Sequence, residues 1–558
     1  MKKILWLISV TVSCTALNAQ TPEANTTGHL SGSFESYTQY YKDDNAINAA
    51  APANNIGSNN FLKLDYTYKQ FVAGIQYESY LPSVLNYVST NPAVSLSGSQ
   101  IANKYFKYID KKFTVQVGDF YEQFGSGLIF RSWENRPIGI NNSLEGVNFF
   151  IQPTDFLKIK ALSGRTRKFD FTTANVTFGY SNSNVTGADA EIDLSQWVNK
   201  KDAINPVNLT IGGSYVNRYE GGYTGPINNY PQSVTAYSRR LNFDVSNYSF
   251  NVEYVTKGAD PHAINLDNMA TGKALLVNTS YTKNNFGITV SGRALSNMDF
   301  RSEREVDKAN ANQLMVNYLP TLTKQQDFLT SNIYVYSTQA LNESGFQSDL
   351  FYNFKEGTKL GGKYGMKLSA NFSYYGGLKS SDDLLSVGSQ SYYHDFNIEL
   401  KKKWSKKLET ILAYQNIYYN KTALQNPGAD VYSDIFVLSN LYKYAPKKSF
   451  RFVLEHLATK QDGGNWAAGI AEFSFAPSYS FYLSDLWNYT TRGVDYYGAS
   501  NGITESVHYF NIGGSIAKNS SRFSLSYGRQ RAGLLCIGGV CRYVPASFGF
   551  TASLTTNF

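Results

Sequence analysis

One short stretch of the chain concentrates charged side chains closely enough in sequence for them to meet at a single site. The stretch 117–136 is rich in glycine and aromatic residues, and it contains Glu122, Arg131, Glu134 and Arg136. Charges that are removed from water must be paired, because burying a lone charge is costly. Two interpretations stay open: the four charges line a constriction or contact a ligand, or they form a salt-bridge network that braces a wide wall.

A second candidate is a pair of cysteines near the end of the chain. Cys536 and Cys541 have four residues between them, and Gly538 and Gly539 at the centre allow the tight bend that brings the two thiols together. The spacing predicts a disulfide. A zinc site is not expected, because the five histidines are scattered and none has ligand spacing with the cysteines; they are His29, His262, His394, His456 and His508.

Signatures of catalysis and of nucleic-acid binding are missing. The sequence has no nucleophile elbow, no glycine loop for phosphate and no paired-histidine motif, so we expect no enzyme, no catalytic residue and no cofactor. A nucleic-acid site would carry its basic clusters on one face with interleaved aromatics, whereas the densest basic cluster here, within 401–407, lies between two strand-like runs, so we expect no nucleic-acid partner.

The composition indicates a protein that meets a membrane. Only 17% of the 558 residues are charged, while 15% are aromatic, with 43 tyrosines and 35 phenylalanines. Tyrosine is amphipathic and suits the boundary between lipid and water. Beyond the N-terminus there is no run of about 18 apolar residues, so a transmembrane helix is not predicted.

The dominant pattern is period-two alternation in segments of about ten residues, which is the length of a tilted strand that crosses a bilayer. In 61–69, for example, Leu62, Leu64 and Tyr66 share one face, and Lys63 and Asp65 share the other. The connections alternate in length as well. Tight turns are expected at 110–112, 283–285, 446–448, 476–478 and 519–520, and long loops at 42–60, 82–100, 220–234 and 490–504.

These patterns predict an all-β fold: a large transmembrane antiparallel β-barrel with a polar lumen and long extracellular loops. Counting back from Phe558 gives about 26 strands, and the range is about 22–26 because 182–206 and 301–328 are ambiguous. Lipid forces every backbone N–H and C=O to pair, so the sheet must close. We therefore expect the first strand, near 30–41, to pair with the last, near 546–558, and both termini to be periplasmic.

The N-terminus has the order of a secretory signal. Lys2 and Lys3 precede an apolar run over 4–12 and small residues up to Ala19, so residues 1–19 are predicted to be a signal peptide and residues 20–558 the barrel. Cys14 raises the alternative of a lipoprotein, but the residues before it make a poor lipobox.

The C-terminus alternates up to its last residue. The apolar phase includes Phe548, Phe550, Leu554 and Phe558, which resembles the signal by which outer-membrane barrels are recognised for insertion. The predicted partners are therefore membrane lipid and the barrel-insertion machinery. An edge strand of a periplasmic sandwich is the alternative, but it leaves the many tyrosine-rich strands unexplained.

Three segments together resemble a Bacteroidota family of outer-membrane proteins of unknown function. They are 117–145, 453–466 and 536–546, and the last carries the pattern Cys-x-Gly-Gly-x-Cys-Arg. The resemblance covers essentially the whole mature chain. It implies an outer-membrane β-barrel and implies no particular activity.

Two functions remain open on the sequence. The first is a passive channel for small polar solutes, because each strand keeps a polar face for the lumen. The second is an accessory subunit of an outer-membrane complex for protein insertion, secretion or surface export, with the long aromatic loops as docking surfaces for outer-membrane protein partners. A TonB-dependent transporter is not expected, because a plug domain needs more than about a hundred residues and alternation begins near Leu30.

Overall fold

The computed structural model describes residues 27–85, 87, 97–170, 177–200, 204–227, 229–305, 313–425, 428–490, 506–537 and 540–558. The predicted signal peptide and Cys14 lie outside these residues, as does nearly all of the predicted long loop at 490–504. No side chain is described for 170, 177, 536, 537 and 540.

The described part of the chain is almost entirely β-structure. In chain order the strands are β1 His29–Tyr41, β2 Ile56–Tyr68, β3 Phe71–Tyr80, β4 Gly98–Ile109, β5 Phe113–Phe120, β6 Gln123–Phe124, β7 Phe130–Arg131, β8 Glu134–Asn135, β9 Ile140–Asn141, β10 Leu144–Thr154, β11 Leu157–Asp170, β12 Thr177–Tyr180, β13 Asn184–Asp193, β14 Val207–Tyr219, β15 Ser233–Val245, β16 Tyr248–Lys257, β17 Gly272–Lys283, β18 Phe286–Ser296, β19 Asn342–Phe354, β20 Met366–Ser380, β21 Asp383–Lys403, β22 Leu408–Asn420, β23 Asp430–Ala445, β24 Lys448–Thr459, β25 Trp466–Phe475, β26 Tyr479–Asn488, β27 Val507–Lys518, β28 Ser521–Gln530, β29 Gly533–Ile537, β30 Val540–Val544 and β31 Ser547–Asn557.

In the described ranges, helical structure occurs only as short turns. Two short α-helices, α1 Ser195–Val198 and α2 Lys421–Gln425, occur together with 3-10 turns at Asn45–Ile47, Arg136–Ile138, Ala263–Asn265, Thr330–Asn332 and Gly362–Tyr364. Over the described ranges, no helix has the length and apolar character needed to cross a membrane.

The main sheet closes on itself. It contains 25 described strands, of which β12 pairs only with the end of β11, so 24 strands follow one another around an antiparallel barrel. Closure occurs where β1 pairs with β31, for example Tyr37 with Ser553, while β31 also pairs with β28. This confirms the predicted fold class and falls within the predicted 22–26 strands. Of the two ambiguous segments, 182–206 contains β13, while the described part of 301–328 contributes no barrel strand.

Side chains alternate between the two faces of the wall as predicted. On β2, Tyr66 and Tyr68 are exposed on the outer surface, whereas Lys63 and Asp65 pair on the inner surface at 3.3 Å. The exposed large residues of other strands, such as Phe106 and Phe481, also belong to the outward phase. The barrel thus presents an apolar outside, which suits lipid, and a mainly polar inside.

The connections are sorted by length between the two ends of the barrel. The turns at 110–112, 284–285, 446–447, 476–478 and 519–520 are tight, as expected, and the chain ends at Phe558 beside Gly32 at the same end. Longer connections occupy the opposite end, where β20 (15 residues) and β21 (21 residues) also form an extended hairpin with its tip at 381–382.

Candidate functional site

The first of two connections that fold into the barrel spans residues 121–143, between β5 and β10, and is called here the first inward segment. Gly125 and Gly127 adopt positive φ values of +53° and +94°, which lets the chain reverse and pair Gln123 with Arg131. A Cβ on Gly125 would lie 2.5 Å from Cδ of Arg240 on the inner wall, so only glycine fits this approach.

Apolar side chains hold the first inward segment against the inner wall. Phe124, Ile129 and Phe130 are fully buried and cluster with Val185 and Val216 of β13 and β14. Fully burying each large apolar side chain contributes about 1.5–3 kcal/mol. The segment therefore packs like a small hydrophobic core between the inner wall and the interior of the lumen.

The second inward segment comprises residues 297–305 and 313–341, between β18 and β19. It pairs with the first through the bonds from Arg131 N to Val316 O (2.9 Å) and from Tyr318 N to Gly127 O (3.0 Å). It then crosses to the other half of the wall, where Tyr336 stacks on Tyr375 with ring centroids 4.9 Å apart. Together the two segments cover the inner wall from β5 to β26 near the long-loop end.

Buried ion pairs anchor the start of the second inward segment. Asp260 lies 2.5 Å from Nη2 of Arg218 and 3.1 Å from Nζ of Lys257, and Asp299 lies 2.6 Å from Nε of Arg301. Burial alone would raise the pKa of Asp260, but the cations of Lys257 and Arg218 outweigh it and hold that pKa below its usual value. These carboxylates therefore stay charged, and their pairs serve to fix the segment.

Two further carboxylates hold the segment farther along. Glu343 on β19 lies 2.6 Å from Nη2 of Arg293 and accepts the hydroxyl of Tyr336 at 2.7 Å. Glu455 on β24 accepts the backbone N–H and the hydroxyl of Thr330, each at 2.8 Å, at the start of the 3-10 turn Thr330–Asn332. By accepting these hydrogen bonds, Glu455 stabilises the start of the turn, where the backbone N–H groups have no partner within the turn itself.

The four predicted charges do not share one cluster. Glu134 and Arg136 pair at 3.1 Å, and Arg136 also lies 2.9 Å from Glu35 on β1. Glu122 instead contacts Nζ of Lys160 at 2.8 Å. The guanidinium of Arg131 lies over the rings of Tyr318 and Trp133, with centroids at 4.1 and 5.4 Å. A role in solute contact stays a prediction, and its best-placed members are Glu134 and Arg136.

Toward the tight-turn end, one arc of the inner wall is left uncovered, whereas at its long-loop end Ile47 and Ala49 pack against Val507 of β27. On the fully described strands β1, β27, β28 and β31, the only buried residues are Tyr41, Val507 and Gly549. Small residues form two neighbouring rows of register partners on the inner face of this arc. The first row is Ser480, Ser515, Ser524 and Ser553, and the second contains Gly513, Ser526 and Thr551. We call these seven residues the serine arc.

The edge of the first inward segment reaches the border of this arc. Glu35, which contacts Arg136, has Thr555 as its register partner on β31, and Tyr37 has Ser553. The side chains of Arg136, Glu134 and Glu35 remain 12%, 19% and 26% exposed, in contrast to the fully buried pair of Arg218 and Asp260. This charged trio therefore faces water, as a lining of a passage would.

The remaining predicted residues lie in the β29–β30 hairpin, which contacts the turn Arg136–Ile138, and on or just after β31. Cys536 and Cys541 are register partners in the β29–β30 hairpin, but the side chain of Cys536 is outside the described residues, so the disulfide stays a prediction. Phe548, Phe550 and Leu554 lie on β31 and Phe558 follows it; Phe550 and Phe558 are exposed on the outer surface. Their role as an insertion signal stays a prediction.

The sequence interpretation missed the two inward segments and their anchors. An uninterrupted apolar run, Leu128 to Phe130, inside a connection was the available signal, since an exposed loop would not carry it. Within the described ranges, no group of three or more histidine, cysteine or acidic side chains is placed to hold a metal ion.

Comparison with solved structures returns outer-membrane barrels of low similarity. The ferric enterobactin receptor PfeA of Pseudomonas aeruginosa has 10% identity and a TM-score of 0.42, over 95% of this chain and 80% of that chain. The outer membrane transporter YddB of Escherichia coli has 10% identity and a TM-score of 0.39, over 95% and 81%. The copper transporter OprC has 9% identity and a TM-score of 0.39, over 96% and 81%. At these values the likenesses carry no argument about activity.

Sequence comparison is more decisive. No curated protein matches the chain. A family of unknown function, DUF6029, matches residues 1–558, which is the whole sequence. This agrees with the predicted resemblance to a family without a settled activity, while the Bacteroidota origin stays a prediction. The chain is a β-barrel of the outer-membrane type and belongs to the DUF6029 family.

Proposed function

We propose that this protein is a passive channel of the outer membrane that passes small polar solutes along the serine arc. The observation that carries the proposal is the contrast between the two parts of the inner wall. Near the long-loop end the inward segments cover the wall from β5 to β26, whereas toward the tight-turn end small hydroxyl and glycine residues on β26, β27, β28 and β31 remain accessible. Small polar side chains leave both space and hydrogen-bonding groups for a hydrated solute.

Planar-bilayer conductance with Ser524→Trp tests the route. An indole at this position projects into the arc, so we expect single-channel conductance to fall severalfold. Leu525→Trp is the matched control, because the neighbouring residue on the same strand is exposed on the outer surface and should leave conductance unchanged. Absence of conductance from the wild-type protein, or equal conductance of the two variants, would overturn the proposal.

The accessory-subunit function is favoured by a different observation. Buried ion pairs fix the second inward segment against the wall near the long-loop end, and a wall braced in this way offers a firm base for a docked partner at that end. Gentle extraction of native membranes that carry the tagged protein separates the two functions. Stoichiometric co-purification of defined partners supports the subunit, and a lone barrel argues against it.

A further inference from the structure

A row of five leucines crosses the outer surface of five adjacent strands. Leu368, Leu400, Leu412, Leu438 and Leu454 are successive register partners on β20, β21, β22, β23 and β24. The next row toward the long-loop end contains Ile398, Tyr414, Phe436 and His456. The two rows line a depression of about 610 Å³ on the outside of the wall. Its almost wholly apolar lining suits acyl chains rather than a polar ligand.

The rim below this depression is strongly basic. The three connections at the tight-turn end of the same strands, 355–367, 401–409 and 443–448, contain twelve lysines and two glutamates. One of the glutamates, Glu409, already pairs with Lys401 at 2.8 Å. Lys402 donates to the carbonyls of Leu360 (2.5 Å) and Gly361 (2.9 Å), which joins two of the connections into one surface. We call this surface the lysine rim.

Spacing along the strands fits a lipid that bridges the two features. Lys402 is two residues from Leu400, which is about 7 Å along a strand. Between the leucine row and the turn lysines lie exposed aromatic side chains, Trp404, Tyr442 and Tyr444. Tryptophan and tyrosine are enriched at the boundary between hydrocarbon and headgroups, so the rim is at headgroup depth when the leucines are at acyl depth.

We propose that the outer wall over β20–β24 is a binding site for an anionic glycerophospholipid. Its acyl chains occupy the leucine depression and its phosphate lies against the lysine rim. Clusters of lysine at a membrane surface attract anionic lipid, and the adjoining depression adds shape selection for the chains. Neither feature belongs to the lumen, so the inference is independent of the proposed channel.

Native mass spectrometry of the purified barrel, titrated with dioleoyl phosphatidylglycerol or dioleoyl phosphatidylcholine, measures the preference. The rim variant replaces Lys403, Lys406, Lys407 and Lys447 with glutamine. The matched control makes the same replacement at four lysines of other tight turns, Lys69, Lys111, Lys112 and Lys283. We expect the preference for phosphatidylglycerol over phosphatidylcholine to fall about tenfold in the rim variant and to stay unchanged in the control. Equal losses in both would show a diffuse charge effect and overturn the site.

A second variant tests the depression without altering charge. Leu412→Trp fills it, and Leu483→Trp on β26 is the control, since the two leucines are 50% and 54% exposed. We expect Leu412→Trp alone to shorten lipid retention, with heat-modifiable gel mobility confirming that each variant is folded. Identical retention in the two variants contradicts the proposal. A dimer that Leu412→Trp dissociates also contradicts it, because a second copy would then occupy the depression.

Discussion

At the scale of single residues, paired charges decide how the inner wall is held together. Glu78 on β3 and Arg167 on β11 are buried and form a two-point contact, at 2.9 Å and 2.7 Å, although 89 residues separate them in sequence. Glu78 also accepts hydrogen bonds from Tyr80 and Gln76. Sequence alone did not predict this contact, because β4, β5 and β10 lie between β3 and β11 in the sheet, and strand alternation does not show which non-adjacent strands meet on the inner face.

Removing one partner of that contact leaves a buried charge without compensation. We expect Glu78→Gln to destabilise the barrel by about 3–5 kcal/mol, measured as a lower temperature of the heat-modifiable shift on gels. Glu145→Gln is the control, because its partner Arg165 is half exposed and such pairs contribute about 0–1 kcal/mol. A similar shift for both variants would contradict this interpretation of Glu78.

A buried histidine gives the second inward segment a pH dependence. His262 is buried, with Nε2 at 3.6 Å from Asp299 and with Asp260, Lys257 and Arg301 nearby. Burial lowers its pKa below the ordinary 6.5 despite the attraction of Asp299. Below about pH 6.5, His262 binds a proton when the second inward segment detaches from the wall but stays neutral while the segment is packed. The free energy needed to detach the segment therefore falls as the pH falls.

Hydrogen exchange in residues 297–304, corrected for the intrinsic rate, measures this opening between pH 7 and 5. We expect the opening free energy to fall by at most about 1.4 kcal/mol per pH unit in the wild type. His262→Gln should flatten that slope, because the lowered pKa values of Asp260 and Asp299 affect stability only near pH 4 and below. An unchanged slope in the variant would exclude His262 as the cause.

At the scale of elements, strands were predictable and inward segments were not. Alternation fixes which face of β2 or β31 points outward, and the tight turns follow from aspartate, asparagine, serine and proline placement, so these predictions are confirmed. The phase of a strand does not reveal whether its inner face meets water or another segment. Val185, Ile435 and Leu457 are inward apolar residues that make sense only once the segments covering them are known.

The 3-10 turn Thr330–Asn332 depends on one carboxylate from another element. We expect Glu455→Ala to release the second inward segment, which should increase both proteinase K cleavage within 313–341 and the current noise of the open channel. The control is Glu472→Ala on the adjacent strand β25, whose partner Arg451 is partly exposed. Protection of the segment in Glu455→Ala would show that the tyrosine stack holds it without the cap.

At the scale of the whole molecule, the last strand completes the barrel. Phe558 is 60% exposed, and its backbone N–H and C=O bond to Gly32, so its ring contributes little to the folded state. We expect Phe558→Ala to slow assembly by purified insertion machinery severalfold while leaving refolding in detergent micelles unchanged. Thr555→Ala, on the inward phase of β31, should affect neither. Slower refolding in micelles would attribute the effect to folding rather than to recognition.

The hairpin of β20 and β21 also sets what the molecule displays beyond the membrane. A strand of 21 residues is about 70 Å long, whereas the hydrocarbon layer is about 30 Å thick. The part of the ribbon beyond the wall bends over its neighbours, because Asp382 at its tip pairs with Lys273 of β17 at 3.0 Å and Leu378 and Leu384 pack against Ala294 of β18. An antibody raised against residues 381–386 should therefore also contact the start of β17, because the two surfaces lie side by side.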